Sequence, residues 1–129
     1  MMRLLLDTHA FFWWLKGDGR LSVRARVAID DADNAVLVSA VVAWELATKS
    51  RIGKWPEGGI VADDIEDVVA LRGLEAVGVS IAHARRAGQL DGAHRDPFDR
   101  LLAAQALIED ATLVTADSAF HAFGVPVLW

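Results

Sequence analysis

The sequence predicts an α/β fold, with residues 1–129 forming one domain built on a central, mostly parallel sheet of about five strands flanked by helices on both faces. Three observations predict it. Short β-type runs alternate with longer helical ones, the order that strand–helix–strand units produce. A length of 129 residues with 53% hydrophobic content supplies one domain with a sizeable core. Acidic residues recur where these elements meet, at the edge of the sheet where open parallel folds bind ligands.

In chain order, Arg3 to Leu6 reads as the first strand, and Asp7 separates it from a helix over Thr8 to Lys16. Ser22 and Ser80 each precede a helical pattern, Val23 to Asp31 and Ile81 to Gln89, as N-caps whose side-chain oxygen accepts a first-turn amide. Ala35 to Val38 is the second strand, and Ser39 caps the apolar helical stretch that runs through Leu46-Ala47. Glycines and a proline crowd Gly53 to Gly59, which predicts a surface loop. Ala62 to Leu74 has amphipathic spacing, with Asp63, Asp64, Glu66 and Asp67 in its first turns, where the helix dipole favours negative charge. Ala76 to Val79, Thr112 to Thr115 and Val125 to Leu128 are the remaining strands.

Lys and Arg total 13 against 18 Asp and Glu, so the net charge of −5 excludes a broad basic surface that would bind nucleic acid non-specifically. Nucleic acid would have to be held locally or with the help of a metal. Without cysteine there are no disulfides and no thiolate metal sites. Leu4 to Leu6 is too short for the apolar core of a signal peptide, and the apolar stretch Ala35 to Trp44 is broken by Ser39 and stopped by Glu45. A soluble cytoplasmic protein with no membrane span is expected.

Four acids carry the chemical signal. Asp7 closes a strand and opens a helix, so it suits an N-cap as well as a ligand position. Glu45 is the only charge in an apolar helix; Lys49, four residues on, offers a weak surface pair, and a divalent cation would be a stronger partner for a buried carboxylate. Asp96 before Pro97 reads as an N-cap with proline at the first helical position. Asp99 lies in the first turn at spacings of three, four and seven from Leu102, Ala103 and Ala106, on the edge of the core-facing stripe, with Arg95 and Arg100 as candidate counterions. Asp117 follows the fourth strand and precedes a short helix, flanked by Thr115 and Ser118, whose hydroxyls suit the support of a ligand carboxylate or aqua ligand. Carboxylates converging on one cleft repel unless a cation neutralises them. With only oxygen donors, that cation is Mg²⁺ or Mn²⁺, and its bound water suits phosphodiester hydrolysis.

The segments Leu5-Leu6-Asp7-Thr8-His9, Trp44-Glu45-Leu46, Asp96-Pro97-Phe98-Asp99-Arg100-Leu101-Leu102-Ala103-Ala104-Gln105-Ala106 and Val114-Thr115-Ala116-Asp117 resemble, in order and over essentially the whole chain, the motifs of the PIN domain superfamily. The resemblance is to the VapC-type ribonuclease toxins of bacterial type II toxin–antitoxin systems. It implies a PIN-like fold, a magnesium-dependent endoribonuclease acting on RNA, a homodimer, and a cognate antitoxin whose C-terminal segment covers the active-site groove. It also implies that Asp7, Glu45, Asp99 and Asp117 bind the metal, with Asp96 inside the third motif. His9 stands where relatives often carry a small polar residue; it would contact substrate or acids, or cap the helix that follows.

Trp13 and Trp14 point about 100° apart on a helix, so one of them is expected to be exposed and free to stack on a base or anchor a partner. Arg51, Lys54, Arg85, Arg86, Arg95 and Arg100 are candidates for a rim of phosphate contacts. A two-component receiver domain would need an early acidic pair and a late lysine, but the lysines stop at Lys54. A haloacid dehalogenase-like phosphatase would need aspartate where His9 stands, and Gly17-Asp18-Gly19 lacks the third glycine of a dinucleotide fingerprint. The remaining alternative is a non-catalytic PIN-like module that binds RNA or protein.

Overall fold

The structure, a computed structural model, describes residues 1–129. Strands β1 (Arg3–Leu6), β2 (Ala35–Ser39), β3 (Glu75–Val77), β4 (Thr112–Val114) and β5 (Val127–Leu128) form one sheet in the order β3-β2-β1-β4-β5, with every neighbouring pair parallel. Around it lie α1 (Thr8–Lys16), α2 (Val23–Asp30), α3 (Ala40–Arg51), α4 (Pro56–Asp63), α5 (Ile65–Leu71), α6 (Ile81–Gln89), α7 (Pro97–Ile108) and a 3-10 helix over Ser118–Phe123. The predicted α/β class and parallel five-stranded sheet are what the chain forms.

Strand side chains alternate between the two faces, and both faces are buried, as parallel sheets require. Leu4, Leu6, Val36, Val38 and Val114 enter a core with Phe11, Phe12, Val42 and Leu46. Leu5, Leu37 and Leu113 point the other way, into a core with Val41, Leu102, Ala106 and Phe120. The outermost strands are short: β3 is largely exposed and β5 has only two residues.

From β1 the chain moves outward through β2 to β3, then crosses back to place β4 on the free side of β1 before reaching β5. The strand order therefore reverses between β1 and β4, and the crevice beyond their carboxyl ends is where open α/β sheets hold ligands. Asp7 and Asp117 follow those two strands.

The capping expectations hold: Ser22 and Ser80 accept from Ala25 N and His83 N, and His83 Nδ1 accepts from Ser80 N in return. The expected loop at Gly53–Gly59 does not hold beyond Trp55. Pro56 takes the first position of α4, so Gly58 and Gly59 are helical. Their role is close approach: a Cβ on Gly58 would lie 3.2 Å from Leu46 Cδ2, and one on Gly59 would meet the Ser50 hydroxyl, so side chains there would force Leu46 and Ser50 on α3 to shift. The single helix expected over Ala62–Leu74 is instead the end of α4 and all of α5, interrupted at Asp64, so only Glu66 and Asp67 occupy a first turn. Ala76–Val79 pairs as Glu75–Val77, and Val125–Leu128 narrows to Val127–Leu128.

Candidate active site

Five carboxylates from four segments line one cavity of about 110 Å³: Asp7 after β1, Glu45 on α3, Asp96 and Asp99 at the start of α7, and Asp117 after β4. Leu102 and Phe120 supply apolar lining, and Thr8, His9 and Lys49 complete it.

Asp7 is buried and caps α1, its Oδ1 accepting from Ala10 N at 2.7 Å. Burial pushes its carboxyl up to about 6; the Thr115 hydroxyl and Ala10 amide oppose this, while the charges of Asp99 and Glu45 reinforce it. Glu45 is also buried, with Thr8 Oγ1 donating to Oε1 and Lys49 Nζ paired to Oε2. The weak surface pair foreseen with Lys49 is thus a real contact to a buried carboxylate.

Asp96 caps α7, accepting from Phe98 N at 2.9 Å, and faces the cavity as well. Partial burial raises the pKa of Asp99; the hydrogen bond from His94 opposes that rise, and Asp96 adds to it. The side-chain partner of Asp99 is His94, at 2.7 Å, and not the expected Arg95 or Arg100. Arg100 is committed elsewhere: its guanidinium donates to the carbonyls of Ala87, His94 and Leu90 and ties the α6–α7 connection to α7. Asp117 is exposed, accepts from Ala119 N at 2.9 Å and donates its own N–H to Thr115 Oγ1 at 3.0 Å.

Thr115 lies behind the acids, buried and bonded to them, whereas Ser118 is exposed and lines no part of the cavity. His9 does not serve as a helix cap. Its ring stacks on Trp55 at 4.7 Å and 17° and tilts against Trp13 at 5.3 Å. Partial burial lowers its pKa, against the pull of Glu45.

None of Arg51, Lys54, Arg85, Arg86, Arg95 or Arg100 lines the acidic cavity itself; the cation that does is Lys49, while Lys54 lines an adjoining pocket. Trp13 and Trp14 are both partly buried, and the exposed indole is Trp44, half open to solvent with its edge against Phe98 at 4.4 Å. The contacts made by Thr8, inside the first motif segment, and by His94, two residues before the third, carried no separate signal in the sequence.

The donor set is all oxygen, which suits a hard divalent cation. No three of the acidic and histidine side chains stand close enough together to hold a metal ion between them as they lie. Magnesium usually keeps several waters and takes only one or two carboxylates directly, so an acid-lined cavity with room for water fits it better than a closed protein cage would.

Residues 4–126 match the PIN domain family. Ribonuclease VapC22 of Mycobacterium tuberculosis is 32% identical over 119 residues, which cover 91% of this chain and 88% of that protein. The chain belongs to the PIN domain family. Within it, the VapC22 likeness sets this PIN domain among the VapC-type members. Solved structures share the fold. VapBC2 from Rickettsia felis, bound to a promoter DNA fragment, superposes with a TM-score of 0.71 at 22% identity over 98% of each chain. VapC20 of M. tuberculosis, a toxin that cleaves the sarcin–ricin loop, gives 0.68 at 17% identity over 95% of each.

Proposed function

We propose that this PIN domain is the ribonuclease toxin of a toxin–antitoxin pair, a magnesium-dependent endoribonuclease that hydrolyses RNA phosphodiester bonds at Asp7, Glu45, Asp99 and Asp117. One observation carries the proposal: five carboxylates line a single cavity at the point where the strand order reverses. Two of them, Asp7 and Asp99, have raised pKa values, chiefly because burial disfavours the charged form, with the neighbouring carboxylates adding to the rise.

Mg²⁺ or Mn²⁺ bound there supplies a more acidic water as nucleophile and charge neutralisation at the phosphate. The chain's own residues do the positioning. Ala10 N and Thr115 hold Asp7, Thr8 and Lys49 hold Glu45, His94 holds Asp99 and Ala119 N holds Asp117, so each of the four carboxylates has at least one oxygen oriented by the chain. Lys49, paired with Glu45, is the cation in the cavity lining. Asp96 adds negative charge to the cavity while capping α7.

An antitoxin is the proposed protein partner, in keeping with the toxin–antitoxin complexes VapBC2 and VapBC-1 among the structural neighbours. A homodimer acting in the cytoplasm completes the reading, and no helix is long and apolar enough to cross a membrane. Cleavage of a structured RNA by the purified protein, compared with the same reaction in chelator and with Asp7→Asn, tests the enzymatic claim. Cutting only by the unmodified protein with Mg²⁺ is expected; equal cutting in all three would remove the claim.

The lack of three such side chains close enough to hold a metal ion as they lie, with Glu45 and Asp99 already paired to Lys49 and His94, favours a second reading: a PIN-like module that binds RNA or protein without cutting. RNA binding with no Mg²⁺-dependent cleavage would select it.

A further inference from the structure

A second cavity, of about 350 Å³, adjoins the acidic one and shares His9 and Lys49 with it. Its character is opposite. Trp13 and Trp55 present aromatic surface, and Arg20, Lys49 and Lys54 supply positive charge on a chain whose net charge is −5. The aromatic wall is already ordered: His9 lies flat against Trp55, and Phe12 backs Trp55 at 4.7 Å. The indole nitrogens also differ. Trp14 Nε1 donates to Asp30 Oδ1 at 2.9 Å, while those of Trp13 and Trp55 have no partner within the chain. Lys54 is exposed and pairs with no carboxylate, unlike Arg20, which is bound to Asp18 at 2.7 Å.

We propose that this pocket is a nucleotide subsite: it takes the unpaired base next to the scissile phosphate, stacked on the His9–Trp55 pair, with Lys54 on a flanking phosphate. The proposal rests on the ribonuclease reading and deepens it by naming the substrate as single-stranded at that position. Aromatic faces stack on any base, so the subsite reads strandedness more than sequence. The continuity of the two cavities through His9 and Lys49 suits a polynucleotide that crosses from acids to aromatics. The mixture of free indole N–H and unpaired cation suits a base and phosphate more closely than an apolar peptide helix.

The test measures binding of three fluorescein-labelled eight-nucleotide probes, oligoadenylate, oligouridylate and the abasic ribose-phosphate backbone, to Asp7→Asn protein without divalent cation. Failure of the nuclease reading cannot mask the result, because no cleavage is required. The expected order is adenylate over uridylate over abasic backbone, with adenylate at least about tenfold tighter than abasic. His9→Ala, on an exposed side chain, and Trp55→Leu, checked for an unchanged circular dichroism spectrum, should each collapse that ratio towards one. Lys54→Ala should weaken all three probes alike and reduce the slope of affinity against salt by about one phosphate contact. Equal binding of adenylate and abasic backbone, or a ratio unchanged in both aromatic variants, would overturn the subsite. So would variants that lose binding to a partner protein while the RNA ratio stays intact.

Discussion

The acidic cavity and the aromatic–basic pocket touch at His9 and Lys49 yet are built in different ways. Every acid in the first sits at a strand end, in a helix first turn or inside a helix, and each is held by the chain: Asp7 by Ala10 N, Glu45 by Thr8 and Lys49, Asp99 by His94. The second is assembled from the outer side of α1 and the turn between α3 and α4, and its cation Lys54 has no partner. The difference matches the two tasks of the proposed nuclease: carboxylates held in place where a bond would break, aromatic faces and an unpaired cation where a polymer would be gripped.

The largest expected effect lies in the acidic cavity. Asp99→Asn should lower RNA cleavage by more than about 100-fold, above the usual cost of disturbing a group that merely supports a ligand. Lys54→Ala should cost only a few-fold at low salt, measured as initial rates on the same RNA. Comparable losses from both would erase the division of labour.

A smaller effect follows from the raised pKa of Asp7. Its carboxyl ordinarily titrates near 3.8 and is pushed up to about 6 in the fold, so the folded chain holds its proton more tightly than the unfolded one. Stability from this group is therefore full below the unfolded value, falls as pH rises towards 6, and levels off above it. Asp7→Asn should stabilise the metal-free protein at pH 7 by on the order of 1–3 kcal/mol and give almost no gain at pH 4. Urea unfolding in chelator at the two pH values checks this, and an equal shift at both would contradict it.

Smaller again is the effect expected at the boundary. Lys49→Met leaves Glu45 buried without its cation and should cost about 1 kcal/mol, modest because Lys49 is partly exposed. Mg²⁺ should recover more melting temperature in this variant than in the unmodified protein, since the ion takes over the neutralisation of Glu45. Equal recovery in both would mean that Glu45 does not feel the ion.

The strand–helix alternation and the serine caps were legible because local physics sets them, and the alternating leucines and valines of β1, β2 and β4 fill both cores. Asp7, Glu45, Asp96, Asp99 and Asp117 could be picked out because each stands at a marked junction or interrupts an apolar run. Gly58 and Gly59 misled: local composition reads them as a loop, and only the approach of Leu46 and Ser50 on α3 explains helical glycines. The Asp99–His94 pair and the commitment of Arg100 to three carbonyls depend on how the α6–α7 connection folds back, which spacing does not encode. His9, Trp13 and Lys54 stand out along the chain as candidate contacts, but Trp55 and Arg20 join them from segments with no shared periodicity, so spacing does not assemble the second pocket.

The central claim is that these carboxylates hold a divalent cation, and electron paramagnetic resonance of Mn²⁺ tests it most directly. Titrated with protein, the free Mn²⁺ signal should fall for the unmodified chain, recover when excess Mg²⁺ competes, and persist with Asp7→Asn or Asp99→Asn. A signal undiminished by the unmodified protein, or lost equally with both variants, would contradict the claim.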